Sequence, residues 1–315
     1  MDQTLFLCVD GGGTKTEALL ADTTGGIWGR GLAEGTNALS VGKTRAEEAA
    51  KAAVQAALRF AGRQPVQLLH FFIPGFSECF PLDLPIAQKL SGDSANAYYG
   101  ALGGPDGIAL LAGTGSFAVS YDANGRKTSV GGWGHMLGDE GSGYDIGRRA
   151  VRRTLQAMDE GRPVTALGQD VLHHYHITNP TQLVHTIYHA GCDRRQMAAL
   201  CPVVGKRAMQ GDTEAADILE EAAAALAQLA GTLFRRLCIA QAPVALVGGI
   251  SKLGEAITIP LARNLAELGL SLQAPLYTPA IGGVLYTCSL LTGRFPSPEI
   301  AERYHASYQK LIKES

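Results

Sequence analysis

Leu5-Phe6-Leu7-Cys8-Val9-Asp10-Gly11-Gly12-Gly13-Thr14, followed by Ala18-Leu19-Leu20-Ala21 and closed by Thr24-Gly25-Gly26, is the stretch on which the fold turns. The apolar run Leu5–Val9 has strand length, and the glycines force a tight turn before the second apolar run begins. This reads as strand, turn, strand. The pattern returns at Ile108–Ala112, which runs into Gly113-Thr114-Gly115-Ser116 and then Phe117-Ala118-Val119-Ser120-Tyr121, with Asn124-Gly125 as a hairpin turn. The recurrence reads as an internal duplication, one copy per lobe. A third apolar run, Val244-Ala245-Leu246-Val247, also ends in glycines, Gly248-Gly249.

Between these landmarks the period changes. From Lys43 to Ala61 apolar residues fall at Ala46, Ala49, Ala50, Ala53, Val54, Ala57, Leu58 and Ala61, which is helical spacing, with Gly62 as the stop. Leu68–Ile73 reads as a buried strand closed by Pro74-Gly75. Residues 145–200 are polar, His-containing and helical in character, Ala215–Leu237 is a long amphipathic helix, and a final helix follows Ser297-Pro298. No low-complexity linker interrupts the chain, so ordered crossings are expected between a first domain at 1–112 and a second at 113–315. The C-terminal tail is a candidate for packing back on the first.

The 315 residues, 46% hydrophobic and 18% charged, suffice for two buried cores. A net charge of -2 offers no basic surface to nucleic acid or to an anionic membrane. No apolar run approaches the roughly 20 residues of a bilayer span. Asp10 and three glycines break up the N-terminal apolar run, so no secretory leader is expected. Six cysteines without a CxxC pair read as reduced thiols of a cytoplasmic protein, and the histidines at 173, 174, 176, 185 and 189 lack the companion carboxylates or cysteines of a zinc site.

A glycine turn between strands lets backbone N–H groups face an anion at close range, and Thr14, Thr16, Thr114 and Ser116 add hydroxyl donors. A lone turn of this kind reads as a plain hairpin; three at strand ends, two of them bearing threonine, point to phosphate. Two motif near-misses fail on context. Val41-Gly42-Lys43-Thr44 resembles the end of a phosphate loop, but its leading glycine would fall at Asn37, and no strand is read before it. Gly113-Thr114-Gly115-Ser116-Phe117-Ala118 fits a dinucleotide fingerprint, yet a strand rather than a helix follows.

Asp10-Gly11-Gly12-Gly13-Thr14-Lys15-Thr16, Gly113-Thr114-Gly115-Ser116 and above all the segment from Gly131-Gly132-Trp133-Gly134-His135-Met136-Leu137 to Gly138-Asp139-Glu140-Gly141-Ser142 together resemble the N-acetylglucosamine kinase family. That family sits with the benzoyl-CoA reductase activators in the actin-like ATPase and sugar-kinase superfamily. The resemblance runs from Leu5 to about Gly293 with the motifs in the same order. It implies an α/β fold of two ribonuclease H-like lobes, mixed sheets flanked by helices, with the active site in the cleft between them.

The same resemblance implies an ATP-dependent kinase of a small-molecule amino sugar, N-acetylglucosamine first, with Mg²⁺. By it, Thr14 with Gly12 and Gly13, and Thr114 with Gly113 and Gly115, contact the phosphates, and Asp10 holds Mg²⁺ through water. Gly248 and Gly249 lie beside the adenosine, with Ala208 a weaker match on that side. Asn37, Gly132, Trp133, Gly134 and Asp139 match the sugar site, and Asp93, in Gly92-Asp93-Ser94-Ala95-Asn96-Ala97, is the catalytic base and a sugar contact. These types suit phosphoryl transfer, which needs charge neutralisation, positioning and a carboxylate to take the hydroxyl proton.

Each residue also has a plainer reading. Asp10 ends a strand, Asp93 caps a helix, Asp139 and Glu140 are solvated charges, Trp133 packs a core, His135 is a structural hydrogen-bonding residue, and Lys15 is a solvated lysine left outside the site. Two departures keep glucosamine, N-acetylmuramic acid and other hexoses open as substrates. Phe71-Phe72-Ile73-Pro74-Gly75-Phe76-Ser77 replaces the small-residue loop of the resemblance, and Gln88-Lys89-Leu90-Ser91-Gly92 is a poor strand before Asp93. Rival readings are an ATP-driven activator, which needs cluster cysteines where none lies between Cys79 and Cys192, and a sugar sensor, which would lose its base or phosphate grip. Oligomeric state is left open, with a homodimer as the common default.

Overall fold

The computed structural model describes residues 3–62, 64–74, 82, 84–105, 107–189 and 191–313, with backbone alone at 39 and 40. The first sheet has strands β1 (Leu5–Gly11), β2 (Lys15–Asp22), β3 (Ile27–Glu34), β4 (Val66–Phe72) and β5 (Ala87–Ser91), in the order β3-β2-β1-β4-β5. β1 runs antiparallel to β2 and parallel to β4, which is parallel to β5. Central β1 is covered on both faces, which is why Leu5–Val9 is a continuous apolar run rather than an alternating one. On one face, Leu5, Leu7, Val9, Ala18 and Leu20 pack against Ala46, Ala50, Ala53, Val54 and Ala57 of helix Lys43–Leu58. Each fully buried leucine or valine there contributes about 2 kcal/mol.

The second sheet has β6 (Ile108–Ala112), β7 (Ser116–Tyr121), β8 (Lys127–Gly131), β9 (Pro243–Val247) and β10 (Ser271–Gln273), in the order β10-β9-β6-β7-β8. β6 is antiparallel to β7 and parallel to β9. The first sheet reads third, second, first, fourth, fifth along its own half, and the second reads the same order from its opposite edge. The duplication seen in the glycine turns therefore extends to the whole strand order. This is the ribonuclease H-like arrangement. The core of the second unit is closed by helices Gly143–Asp159, Thr213–Leu237 and Glu255–Glu267, whose Ile146, Leu219, Leu226 and Leu261 are buried.

The chain divides into two compact units, Met1–Asp106 with Tyr121–Arg126 and Pro275–Ser315, and Gly107–Ser120 with Lys127–Ala274. The expected boundary at 112/113 thus sits one strand late: β6 pairs with β7 and β9, so it belongs to the second unit. The tail belongs to the first unit, where Tyr304 donates to the Asp22 carbonyl and Ser307 Oγ bonds both the N–H and the carbonyl of Ile27.

Strands β3, β8 and β10 have no counterpart in the sequence reading, and Gln88–Ser91, read as a poor strand, is part of β5. All four lie at sheet edges, where one face meets water and a single ladder suffices, so their polar residues do not alternate cleanly. β3 also supplies a strand before Val41–Thr44, though the missing glycine at Asn37 still sets that segment apart from a phosphate loop. Among the described residues, no helix is long and apolar enough to cross a membrane.

Candidate active site

In the first unit three segments distant in sequence meet at the C-terminal edge of β1. The Gly12 carbonyl accepts N–H bonds from Thr36 (2.9 Å) and Asn37 (3.1 Å), while Gly12 N–H donates to the Lys15 carbonyl at 3.0 Å. Thr16 Oγ1 donates to Thr36 Oγ1 at 3.0 Å. The turn that leads from β1 to β2 is thereby tied to the loop that carries Asn37. Gly13, Thr14 and Lys15 are exposed. Lys15 lies 3.9 Å from Glu17.

The third segment is the start of helix Asp93–Leu102. Asn96, one turn into it and buried, donates from Nδ2 to Asp10 Oδ1 at 2.7 Å. Its own Oδ1 accepts the Ala97 N–H. Burial pushes the Asp10 carboxyl up to about 6 against the Asn96 bond; Glu17 and Asp93 add to the rise and Lys15 opposes it. Asp93 is the first helical residue and is exposed, its carboxylate favoured by the helix dipole; the N-cap itself is Gly92. Asn96 lies within the Asp93 motif, yet sequence reasoning assigns it no role. Its i+3 spacing from Asp93 is the available signal, since it puts both on one side of a helix.

In the second unit β6 and β9 are parallel neighbours, so the turns that follow them lie side by side. A Cβ on Gly113 would come within 3.9 Å of the Gly249 N. Gly248 has φ +106, and a Cβ there would stand 2.5 Å from the Ala112 carbonyl oxygen, so only glycine fits. Helix Cys201–Met209, which carries Ala208, packs through Gly205 on Leu253 of the 3-10 turn Gly249–Leu253. The three residues expected beside adenosine are therefore on adjoining elements.

Asp139 is placed unexpectedly deep. It is 5% exposed, has φ +63 in the left-handed region, and accepts the Ser116 N–H at 3.3 Å. Its Oδ2 sits so close to Gly115 that a Cβ there would fall 2.7 Å away. Asp139 thus braces the second glycine turn from behind. Ser116 Oγ donates to the Glu140 carbonyl at 2.7 Å, and Gly143 N–H donates to the Gly113 carbonyl at 2.7 Å. Trp133 is 75% exposed with Met136 and Leu137 also exposed, so it packs no core, and the ring of His135 meets that of Tyr144 edge-on at 4.8 Å.

Sequence reasoning does not single out Asp145. Buried at the start of helix Gly143–Asp159, it accepts the Gly141 N–H at 3.1 Å, Arg148 Nη2 at 2.7 Å and Arg149 Nε at 2.9 Å. Burial alone would raise its pKa; these bonds outweigh it and hold the carboxyl below its ordinary value. Arg149 also pairs with Glu221 on helix Thr213–Leu237. With the Gly132 N–H donating to the Ser116 carbonyl at 3.1 Å, the Gly131–Ser142 segment is anchored at both ends.

Among the described residues, no group of three or more His, Cys, Asp or Glu side chains is arranged to hold a metal ion. Mg²⁺ needs less, since it keeps most of its waters and takes one or two carboxylates beside substrate phosphates. Asp10, steadied by Asn96 and close enough to Asp93 to feel its charge, fits that requirement. Phe71, Phe72 and Ile73 are buried in the first unit, whereas Gly75, Phe76, Ser77 and Cys79 lie outside the described residues.

The model of the BadF/BadG/BcrA/BcrD ATPase family matches residues 7–287. An N-acetylmuramic acid/N-acetylglucosamine kinase of Clostridium acetobutylicum is 37% identical over 131 residues, which is 42% of this chain and only 43% of that relative's length. An N-acetyl-D-glucosamine kinase of Dictyostelium discoideum is 29% identical over 75% of this chain and 81% of its own. Among solved structures, a candidate N-acetylglucosamine kinase from Chromobacterium violaceum superposes with a TM-score of 0.69 at 28% identity, covering 90% of this chain and 98% of its own.

Proposed function

This chain belongs to the BadF/BadG/BcrA/BcrD ATPase family, and from that premise we propose that it is an ATP-dependent amino-sugar kinase, with N-acetylglucosamine converted to its 6-phosphate. One observation carries the reading: in the first unit the Gly12 turn, Asn37 and the Asp93 helix are bonded into a single edge. A phosphate grip, a sugar-binding amide and a base are needed together, and the hydrogen-bonded adjacency of these three segments supports that assignment. The names of the relatives support the sugar class.

In the proposed reaction the Gly12-Gly13-Thr14 turn, with Gly113, Thr114 and Gly115 from the second unit, holds the phosphates. Gly248, Gly249 and Ala208 flank the adenosine. Asp10 would hold Mg²⁺ through water, and the ion would supply charge neutralisation when bound. Asn37, Asp93 and the Gly132-Trp133-Gly134 turn position the sugar, with Asp139 fixing that turn's surroundings. Asp93 then takes the proton as the sugar hydroxyl oxygen bonds to the γ-phosphorus, and the β–γ bridging oxygen leaves with its electron pair on ADP. ATP use fits a cytoplasmic protein, and a homodimer is the default assembly.

An ATP-coupled assay with N-acetylglucosamine, glucosamine, N-acetylmuramic acid and glucose tests the proposal. N-acetylglucosamine should show the highest kcat/KM. Preference for another of the four would reassign the substrate, and ADP release independent of every sugar would favour the ATPase-activator reading.

A further inference from the structure

Beneath the Asp93 end of the first sheet runs a buried line of side-chain hydrogen bonds that the proposed chemistry does not use. Cys8 Sγ, on β1, donates to Thr287 Oγ1 at 3.1 Å. Thr287, within helix Pro279–Thr292, lies 2.9 Å from His70 Nδ1, and His70 Nε2, on β4, lies 2.8 Å from Ser91 Oγ at the end of β5. His70 and Thr287 are fully buried.

Burial, with a smaller contribution from Lys89, pushes the His70 ring down to about 3, so it is neutral at physiological pH and offers one donor and one acceptor. Both tautomers are satisfied. Thr287 Oγ1 can instead donate to the Gly283 carbonyl at 2.8 Å, letting Nδ1–H donate to Thr287 while Ser91 donates to Nε2. In the other tautomer Thr287 donates to Nδ1 and Nε2–H donates to Ser91.

An apolar side chain at 70 would fill the same core without the cost of burying an imidazole, so the polar line has a use beyond packing. Its outer end shows what that use is. β5 is an edge strand whose residues are half-buried or exposed, paired among the described residues only with β4, and the next two residues are Gly92 and Asp93. The His70–Ser91 bond ties the end of that weakly anchored strand into the core, and the Ser91 carbonyl in turn accepts the Ile73 N–H.

We propose that His70 is a positioning residue: through Ser91 it sets where β5 ends and hence where the Asp93 carboxylate starts its helix. The proposal rests on Asp93 being the base. Three variants test it, each followed by kcat, KM, thermal melting and amide exchange over residues 87–97. Ser91→Ala cuts the line at the strand end, where the core is least disturbed. His70→Leu removes it, and His70→Gln returns a polar atom toward Ser91.

Ser91→Ala and His70→Leu should each lower kcat about tenfold or more while KM for ATP stays within about twofold, because a misplaced base slows chemistry without weakening the nucleotide site. His70→Gln should recover most of the loss. Undiminished kcat in Ser91→Ala overturns the proposal, as does a loss that tracks melting temperature alone; Ser91→Ala still decides if His70→Leu does not fold. If the wild-type chain phosphorylates no sugar, the kinase reading has failed by itself. Amide exchange then decides: faster exchange at 92–96 in Ser91→Ala supports positioning, and unchanged exchange overturns it.

Discussion

The two glycine turns occupy the same place in two sheets of the same strand order, yet they are supported in different ways. The first is open: Gly13, Thr14 and Lys15 are exposed, and its principal tie is the Gly12 carbonyl to Thr36 and Asn37. The second is half-buried and braced from behind by the Asp139 carboxylate and the Gly143 N–H, with Gly248-Gly249 alongside. A duplicated device has thus been divided in labour. The first copy has Asp10 and the exposed Asp93 nearby, the proposed metal and base residues, while Asp139 and Asp145 beside the second are tied up in bonds to backbone N–H groups and arginines.

That division can be broken at several points. Asp93→Asn keeps shape but removes the proton acceptor, so kcat should fall about a thousandfold with sugar binding retained by calorimetry. Turnover near the wild-type rate would take the base out of the first unit. The paired substitutions Asn37→Ala and Asp139→Ala sharpen the contrast. Asn37→Ala should raise the sugar KM alone, by about tenfold, whereas Asp139→Ala should raise both sugar and ATP KM by a similar factor, because it leaves the buried Ser116 N–H without its acceptor. An ATP KM untouched by Asp139→Ala would return that residue to a purely sugar-binding role.

The smallest effect is on stability against pH. The Asp145 carboxyl is held below its ordinary value in the folded state, so its contribution is present above the unfolded carboxylate range and is lost as pH falls through the depressed folded value. Melting curves of wild type and Asp145→Asn should differ at neutral pH and converge in acid. A gap constant with pH would mean that shape, not charge, anchors Gly141.

Much of this was open to local reasoning. The unbroken apolar run Leu5–Val9, the threonine-bearing turns and the helical spacing of Lys43–Leu58 are properties of neighbouring residues, and they declare themselves wherever a strand or helix face is fully buried. The edge strands β3, β5, β8 and β10 did not, because half-exposed strands carry no steady period. The roles of Asn96, Asp145 and His70 were hidden for another reason: each is defined by a partner 86, 4 or 21 residues away, and even the nearest of these gains its meaning from Arg149 and Glu221 together.

By itself, then, the amino-acid order determined the repeated turn, the helix faces and the family likeness, all of which follow from short-range sterics and periodic burial. Only the tertiary structure decided that β6 belongs with the second sheet, that Asp139 faces inward, and that a neutral histidine reaches the strand before Asp93. These depend on which distant backbone groups come within hydrogen-bond reach, and that is settled when the sheets assemble.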